Sequence, residues 1–182
     1  MFAVNEYVIY GSNGVCQVKD ICTPPGVEGN RKYYLLNPVY LKGTTIYTPV
    51  DNIKVIMRSI ISREESERLI HRIPSIDTTW ISNDKAREAS CKQAIGTCDY
   101  VEWVKVMKTM LHKKREQLSL GKKLRQVDER LLSSAAENLH GELAIALDIP
   151  KEEVEDYIAS RIGRMENSDE STDSRTQGFQ SQ

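Results

Sequence analysis

The apolar positions of the first 57 residues form short runs that are separated by turn residues. Each run is at most eight residues long, and glycine, proline or asparagine residues lie between the runs. This pattern is typical of β-strands. It predicts five short strands, at residues 7–10, 15–22, 31–36, 44–48 and 55–56. Several short β-rich runs between turns indicate a small barrel, and fewer than 60 residues make a thin core that we expect to pack on a neighbour.

The apolar positions after residue 58 recur instead at the three- and four-residue spacing of helices. Ser62 and Glu65 have the spacing of a capping box, which predicts a helix over about residues 63–72 that ends near Pro74. Four further helices are predicted, over 83–95, from Thr97 or Asp99 to the break at 118–121, over 124–147, and from Pro150 onward. Gly96 is expected at the C-terminal cap of the second helix.

The change of period predicts an α+β fold with two folded parts. A small N-terminal β barrel is expected over residues 1–57 and an all-α domain of about five helices over 58–165. Residues 166–182 are polar, acidic and contain one aromatic residue, so we expect this tail to be disordered.

The formal net charge of −1 conceals an uneven distribution along the 182 residues. Residues 1–58 carry +2, residues 59–130 carry +4 and residues 131–182 carry −7. A basic middle segment beside an acidic end can accompany nucleic-acid contact, although solvated helix faces explain the charges equally well.

Several functional classes find no support in the chain. There is no phosphate-binding glycine loop, no HExxH or GxSxG motif and no cysteine–histidine spacing of a zinc site, so we expect no catalytic residues, cofactor, metal or small-molecule substrate. No run of residues is long and apolar enough for a membrane span, and the first ten residues lack the features of a signal peptide. We therefore expect a non-enzymatic cytoplasmic protein with four reduced cysteines.

The two tryptophans have different surroundings in the sequence. Trp103 lies on the apolar stripe of the third helix and is expected in the core. Trp80 lies in a polar link, where it either anchors that link or forms a wedge on the surface. Cations follow it at Lys85, Arg87 and Lys92, and an aromatic ring beside cations is a common nucleic-acid-binding combination.

The order of several short segments resembles the CarD/CdnL family of bacterial transcription regulators, which shares its β module with the RNA-polymerase-interacting domain of the transcription-repair coupling factor. The similar segments are at residues 8–10, 14–15, 33–36, 46–52, 118–119, 128–132 and 141–144, with Trp80 at the place of the family's exposed tryptophan. Tyr47 lies where some members carry an arginine.

The resemblance implies a Tudor-like, or SH3-like, barrel that docks on the β subunit of RNA polymerase. It also implies a helical domain that contacts promoter DNA at the upstream edge of the transcription bubble, in the minor groove and with weak sequence preference, and stabilises the open complex. The implied polymerase contacts are Thr44, Thr45, Ile46, Tyr47, Thr48 and Pro49. The implied DNA contacts are Trp80, Lys85, Arg87, Lys92, Lys123 and Arg130.

Two other hypotheses compete with this one. Small barrels also occur in RNA-binding and ribosome-associated proteins, and Trp80 could pack against the helices of a purely structural adaptor. An enzyme is the weakest alternative, because no nucleophile, base or metal set is found.

Overall fold

The N-terminal part of the molecule is a five-stranded antiparallel sheet. In the computed structural model, which describes residues 1–26, 29–78 and 80–164, the strand order is β4-β3-β2-β1-β5. The strands are β1 (Tyr7–Tyr10), β2 (Val15–Cys22), β3 (Tyr33–Pro38), β4 (Ile46–Pro49) and β5 (Met57–Ser59). The first two strands confirm the prediction, and the next two begin two residues later than predicted.

The last strand is displaced from its predicted place. A strand was expected at residues 55–56, but β5 covers Met57–Ser59 and pairs with β1, with Tyr10 opposite Met57. Val55 packs against the small core of the sheet, and the Ile56 carbonyl oxygen accepts from the Gly11 amide at 2.9 Å, just before β5 begins. The sheet thus continues past residue 57, where the boundary between the two folded parts was predicted.

The helices agree closely with the sequence pattern. They are α1 (Arg63–Arg72), α2 (Asp84–Gly96), α3 (Tyr100–Ser119), α4 (Gln126–Leu147) and, after the 3-10 turn Lys151–Glu153, a helical segment over residues 154–164 that we call α5. The expected tail at residues 166–182 lies outside the described residues.

The predicted helix ends are confirmed at α1 and α3 and corrected at α2. Ser62 accepts from the Glu65 amide at 3.1 Å, and the Glu65 carboxylate accepts from the Ser62 amide at 2.9 Å. Asp99 caps α3. Gly96 is the last helical residue rather than the cap, because Cys98 takes the left-handed conformation, with a φ of 55°.

The sheet has two apolar faces, which explains how so small a sheet is stable. One face forms its own core, with Val8, Cys16, Val18 and Leu36 fully buried. The opposite face presents Ile9 and Val15 to the helices, where they join a larger core. Buried side chains of α1, α3 and α4 complete that core: Leu69, Ile70, Trp103, Val104, Met110, Leu139 and Leu143. The expectation that the sheet packs on a neighbour is confirmed.

Trp103 lies at the centre of this shared core. Its side chain is fully buried, and its indole N–H donates to the carbonyl oxygen of Ile95 at 3.1 Å. The core assignment made from its helical spacing is confirmed.

None of the described helices combines the length and apolarity that crossing a bilayer requires.

Candidate functional site

Two surfaces of the molecule are candidate binding sites. The edge surface consists of β4, the loop before it and the loop of residues 50–56 after it. The tryptophan surface consists of Trp80 and the side chains around it on α2 and α3. The first belongs to the sheet and the second to the helical part of the chain.

The edge surface has an open strand edge. β4 pairs with β3 and stands at the end of the sheet, and among residues 1–26, 29–78 and 80–164 no strand pairs with its other side. An unpaired edge presents a row of backbone N–H and C=O groups that can accept a further strand. The strand that carries most of the implied polymerase contacts is therefore an edge strand in the fold.

The side chains of β4 alternate between the core and the solvent. Thr48 is buried and its hydroxyl accepts from the Asn52 amide at 2.9 Å, and Ile46 packs against the sheet core. Tyr47 is 44% exposed, while Thr44 and Thr45 lie exposed before the strand. Ile46 and Thr48 thus support the strand, and Tyr47 is the large side chain it presents outward.

The loop after β4 adds exposed apolar side chains that the sequence reasoning missed. Ile53 is 96% exposed and Ile56 is 46% exposed. Isolated exposed isoleucines are ordinary. Ile56 lies next to β1 and β5, at the other end of the strand order, because its carbonyl oxygen accepts from the Gly11 amide at 2.9 Å, so Ile53 is the one of the two that follows β4. The available signal was two isoleucines in the turn-rich segment after Pro49.

Trp80 is half-exposed and lies among cations. Its side chain is 41% exposed, and its ring meets that of His112 edge to face, at 4.8 Å between centroids. The Lys113 ammonium lies 5.6 Å from the ring centroid and the Arg87 guanidinium carbon 5.4 Å from it. Both distances are within the range of cation–π attraction. The contacts with Arg87, His112 and Lys113 therefore hold the ring in place, while much of it faces solvent.

The link that carries Trp80 is anchored by another residue. The Lys108 ammonium on α3 donates to three carbonyl oxygens of this link, those of Ile73 and Pro74 at 3.0 Å and that of Ile76 at 2.5 Å. Ile76 itself is buried. These contacts tie the link to α3 upstream of Trp80, so the anchoring role does not depend on the tryptophan ring.

Arg87 has a different role from the one predicted. It was expected to contact DNA, but its side chain is fully buried. Its guanidinium forms an ion pair with Asp84 and donates to the Ile81 carbonyl oxygen at 3.0 Å. A buried, paired guanidinium cannot reach a phosphate, so the prediction of a DNA contact at Arg87 is wrong.

An ion-pair network surrounds Arg87 where α2 meets the start of α4. Asp128 is buried and accepts from Arg125 at 2.8 and 3.0 Å, and its carboxylate lies 3.9 Å from Arg87. Arg125 also lies 3.2 Å from Asp84. The hydrogen bond from Arg87 lowers the pKa of Asp84, which therefore stays ionised. The network therefore fixes the position of the Arg87 guanidinium, against which the Trp80 ring packs.

The other predicted cations are exposed but dispersed. Lys85 and Lys123 are exposed on α2 and in the loop before α4. Lys92 pairs with Glu88 at 2.6 Å, and both line a cavity between α2 and α4 together with Arg130. The structure thus brings Lys92 and Arg130 together. Among the described residues, the cation–π partners of Trp80 are Arg87 and Lys113 instead.

Further basic residues beside Trp80 come from α3, which the sequence reasoning did not consider. His112 and Lys113 contact the ring, and Lys114 and Arg115 are the next two residues, both exposed. The run of four basic residues was a visible signal. It was missed because it lies more than 30 residues from Trp80, and only the packing of the link on α3 brings them together.

The titratable side chains do not assemble a reactive centre in the described part of the chain. Within residues 1–26, 29–78 and 80–164, no group of three or more metal-ligating side chains is found. The four cysteines are free thiols, and burial raises the pKa of Cys16 to about 12.

The sheet and its open edge correspond to a known interaction module. Residues 2–61, which include all five strands, match the family model described as the CarD-like/TRCF RID domain. The N-terminal part of this chain is a CarD-like RNA-polymerase-interacting domain. No curated protein matches the chain. The resemblance drawn from the sequence is thus confirmed for this domain.

The RID domain accounts for the fold class and for the general role. Its family has a Tudor-like fold, which agrees with the α+β architecture. It is a non-catalytic interaction domain and supports a transcription-associated role in RNA polymerase binding. The match ends at residue 61, so the helices that carry Trp80 lie outside it.

Proposed function

We propose that this chain is a cytoplasmic transcription regulator that docks on the RNA polymerase β subunit through its RID domain and contacts promoter DNA through the tryptophan surface. The DNA contact lies at the upstream edge of the transcription bubble and stabilises the open complex. The observation that carries the proposal is the half-exposed Trp80 ring, surrounded by cations, on helices packed against a polymerase-binding domain.

The edge surface supports the docking step. A strand of the β subunit can add to the open side of β4 by main-chain hydrogen bonds, while side chains beside the edge select the partner. Tyr47 and the exposed Ile53 supply apolar contact there. In this proposal Thr44, Thr45 and Pro49 flank the added strand, and the inward-facing Ile46 and Thr48 keep β4 in position.

The tryptophan surface supports the DNA step. An apolar ring that enters a base step must first unstack it, at a cost of a few kcal/mol in intact duplex. At the edge of a bubble the step is already partly unstacked, so insertion costs less. The inserted ring then opposes re-closure. A preference of about 1.4 kcal/mol for the open state would shift the equilibrium about tenfold.

The cations position the duplex rather than select its sequence. Lys113 beside the ring is paired with Glu116 at 2.7 Å and is mostly buried, so in this proposal the exposed Lys85, Lys114 and Lys123 contact the phosphates. Phosphate contacts of this kind are independent of sequence. Because residues 59–130 carry a net charge of only +4, affinity for free DNA is weak, and docking on polymerase supplies the effective concentration.

The DNA step is tested by replacing Trp80 and following open-complex lifetime on a promoter that opens unstably. Trp80→Ala should shorten the lifetime to that seen without the protein, and Trp80→Phe should restore part of it because a ring remains. Leu118→Ala, which removes another exposed apolar side chain of the helical part, is the control. An Ala variant with full lifetime and normal polymerase binding would contradict the proposal.

The docking step is tested by capturing the β subunit. Tyr47→Glu should weaken capture because it places a charge at the open edge, while Leu120→Glu makes the same kind of change at an exposed leucine after α3. Capture that survives Tyr47→Glu and Ile53→Glu together would contradict docking at this edge.

Tighter binding to structured RNA than to forked DNA, without polymerase, would favour an RNA-binding protein instead.

A further inference from the structure

One ion pair joins the RID domain to the helices. Arg58 on β5 and Glu142 on α4 face each other across the contact between the two parts, and the two side chains meet as a fork. The Arg58 Nη1 donates to Glu142 Oε1 at 2.5 Å and Nη2 donates to Oε2 at 2.8 Å. Paired, charge-assisted bonds of this kind fix relative orientation as well as distance.

The same two side chains also hold backbone groups of neighbouring segments. Arg58 Nε donates to the Cys98 carbonyl oxygen at 2.6 Å, immediately before α3. Glu142 is fully buried, and its Oε1 accepts from the Ile61 amide at 2.9 Å. The pair therefore ties β5, the segment that follows β5, the start of α3 and the middle of α4 to one point.

Two aromatic rings complete the environment of Arg58. Its guanidinium carbon lies 5.7 Å from the Tyr100 centroid and 5.6 Å from the Trp103 centroid. A planar guanidinium can contact rings while its edges donate in fixed directions, whereas a lysine ammonium supplies neither the second bond of the fork nor the Nε donor. The site is therefore specific for arginine.

We infer that the Arg58–Glu142 pair is the polar joint that fixes the orientation of the polymerase-docking sheet on the DNA-facing helices, which the shared apolar core alone holds together without a fixed direction. Arg58 is then a positioning residue, since it touches neither proposed partner surface. Docking of β4 on polymerase would by itself determine where Trp80 meets the duplex. This inference rests on the proposed function for its consequence, although the joint itself can be measured without polymerase or DNA.

A fixed arrangement matters because the DNA contact is weak on its own. The gain from docking is the effective concentration of Trp80 at one step of the duplex, and that concentration falls when the two parts sample many orientations. Loosening the joint should leave each surface able to bind its own partner while it lowers the benefit of binding both at once.

The joint is tested directly on the full-length protein by residual dipolar couplings of backbone amides. In the wild type, couplings from the sheet and from α2–α4 should fit a single alignment tensor. Arg58→Lys should require two tensors of different magnitude. Arg31→Lys is the matched control, because Arg31 forms an ion pair with Asp51 at 2.9 Å on the exposed side of the same sheet. A single tensor for Arg58→Lys would overturn the inference.

A second variant guards against simple unfolding. Glu142→Gln keeps the shape of the side chain but removes its charge, so the fold should survive while the fork weakens. Amide hydrogen exchange at Ile61 should accelerate because its acceptor is weakened, whereas exchange at the strand-paired amides of β2 should not change. Unchanged exchange at Ile61 together with a single tensor would again overturn the joint.

The consequence is tested by three measurements on Arg58→Lys. Capture of the β subunit and affinity for forked DNA should match the wild type, while the added open-complex lifetime should fall about tenfold. A full lifetime despite two alignment tensors would show that fixed geometry is not required. If the wild type itself fails to prolong open complexes, the proposed function fails, and the dipolar couplings alone still decide whether the joint exists.

Discussion

The guanidinium of Arg87 lies beneath the ring of Trp80, with 5.4 Å between the guanidinium carbon and the ring centroid. Arg87 is fully buried and Trp80 is 41% exposed, so the cation supports the face of the ring turned toward the protein. This relationship replaces the expected phosphate contact with a structural one. It also explains how a large aromatic side chain can remain on the surface with a defined orientation.

Replacement of Arg87 should lower the stability of the fold, because this side chain has a structural role. Arg87→Ala leaves the buried Asp128 with less compensation and removes the bond to Ile81, so the free energy of unfolding should fall by about 3 kcal/mol. Lys92→Ala removes an exposed pair with Glu88 and should cost less than about 0.5 kcal/mol. Urea denaturation of both variants measures the difference, and equal losses would contradict the burial argument.

The two tryptophans should differ in solvent access. In Trp103→Phe the remaining emission comes from Trp80, and acrylamide should quench it readily because the ring is half-exposed. In Trp80→Phe the fully buried Trp103 should resist quenching several-fold better. Poor quenching of Trp80 would show that the ring is covered and would favour the structural-adaptor hypothesis.

The cysteines should react with a thiol reagent in an order determined by burial. The thiolate is the reactive form, and burial raises the pKa values of the Cys16, Cys91 and Cys98 thiols, that of Cys16 to about 12. Cys22 is only partly buried. Alkylation by iodoacetamide at pH 8, followed by peptide mass spectrometry, should modify Cys22 first. Early modification of Cys91 would indicate local opening of α2.

Stability should decrease on mild acidification because of His140. Burial lowers the pKa of this imidazole below its ordinary value of 6.5, although Glu155 and Glu137 oppose the shift and Lys151 adds to it. The unfolded chain therefore takes up a proton first as the pH falls. The stabilisation is present above about pH 6.5 and is lost as the pH falls through the lower, folded-state value. His140→Gln should reduce this slope in denaturation curves between pH 7 and pH 5.

Gly141 should not accept a side chain without cost. A Cβ there would lie 2.9 Å from the Tyr40 ring, whose hydroxyl donates to the Gly141 carbonyl oxygen at 3.0 Å. Gly141→Ala must displace that ring, and we expect a loss of about 1–2 kcal/mol. Gly96 is helical and has open space around it, so Gly96→Ala should stabilise by about 0.5 kcal/mol. Thermal unfolding of both variants distinguishes the two effects, and a stable Gly141→Ala would show that Tyr40 moves freely.

Local patterns in the sequence were sufficient for most of the secondary structure. The capping box at Ser62, the cap at Asp99 and the strands β1 and β2 depend on interactions between residues close in the chain, and all were predictable. The RID domain was also recognisable, because its short segments occur in a specific order. The shift of β5 was not predictable, since its register is determined by pairing with β1 about 47 residues away.

The tertiary structure alone decided which polar side chains are available to a partner. Arg87 and Lys92 lie five residues apart on one helix, which places them on different faces, but only the packing of α2 on α4 shows that the face of Arg87 is the buried one and that Lys92 is exposed. His112 and Lys113 join Trp80 only because the link folds back onto α3. The sequence determined the elements and the kinds of residues they carry, whereas burial and proximity depend on contacts between distant segments, which no local pattern records.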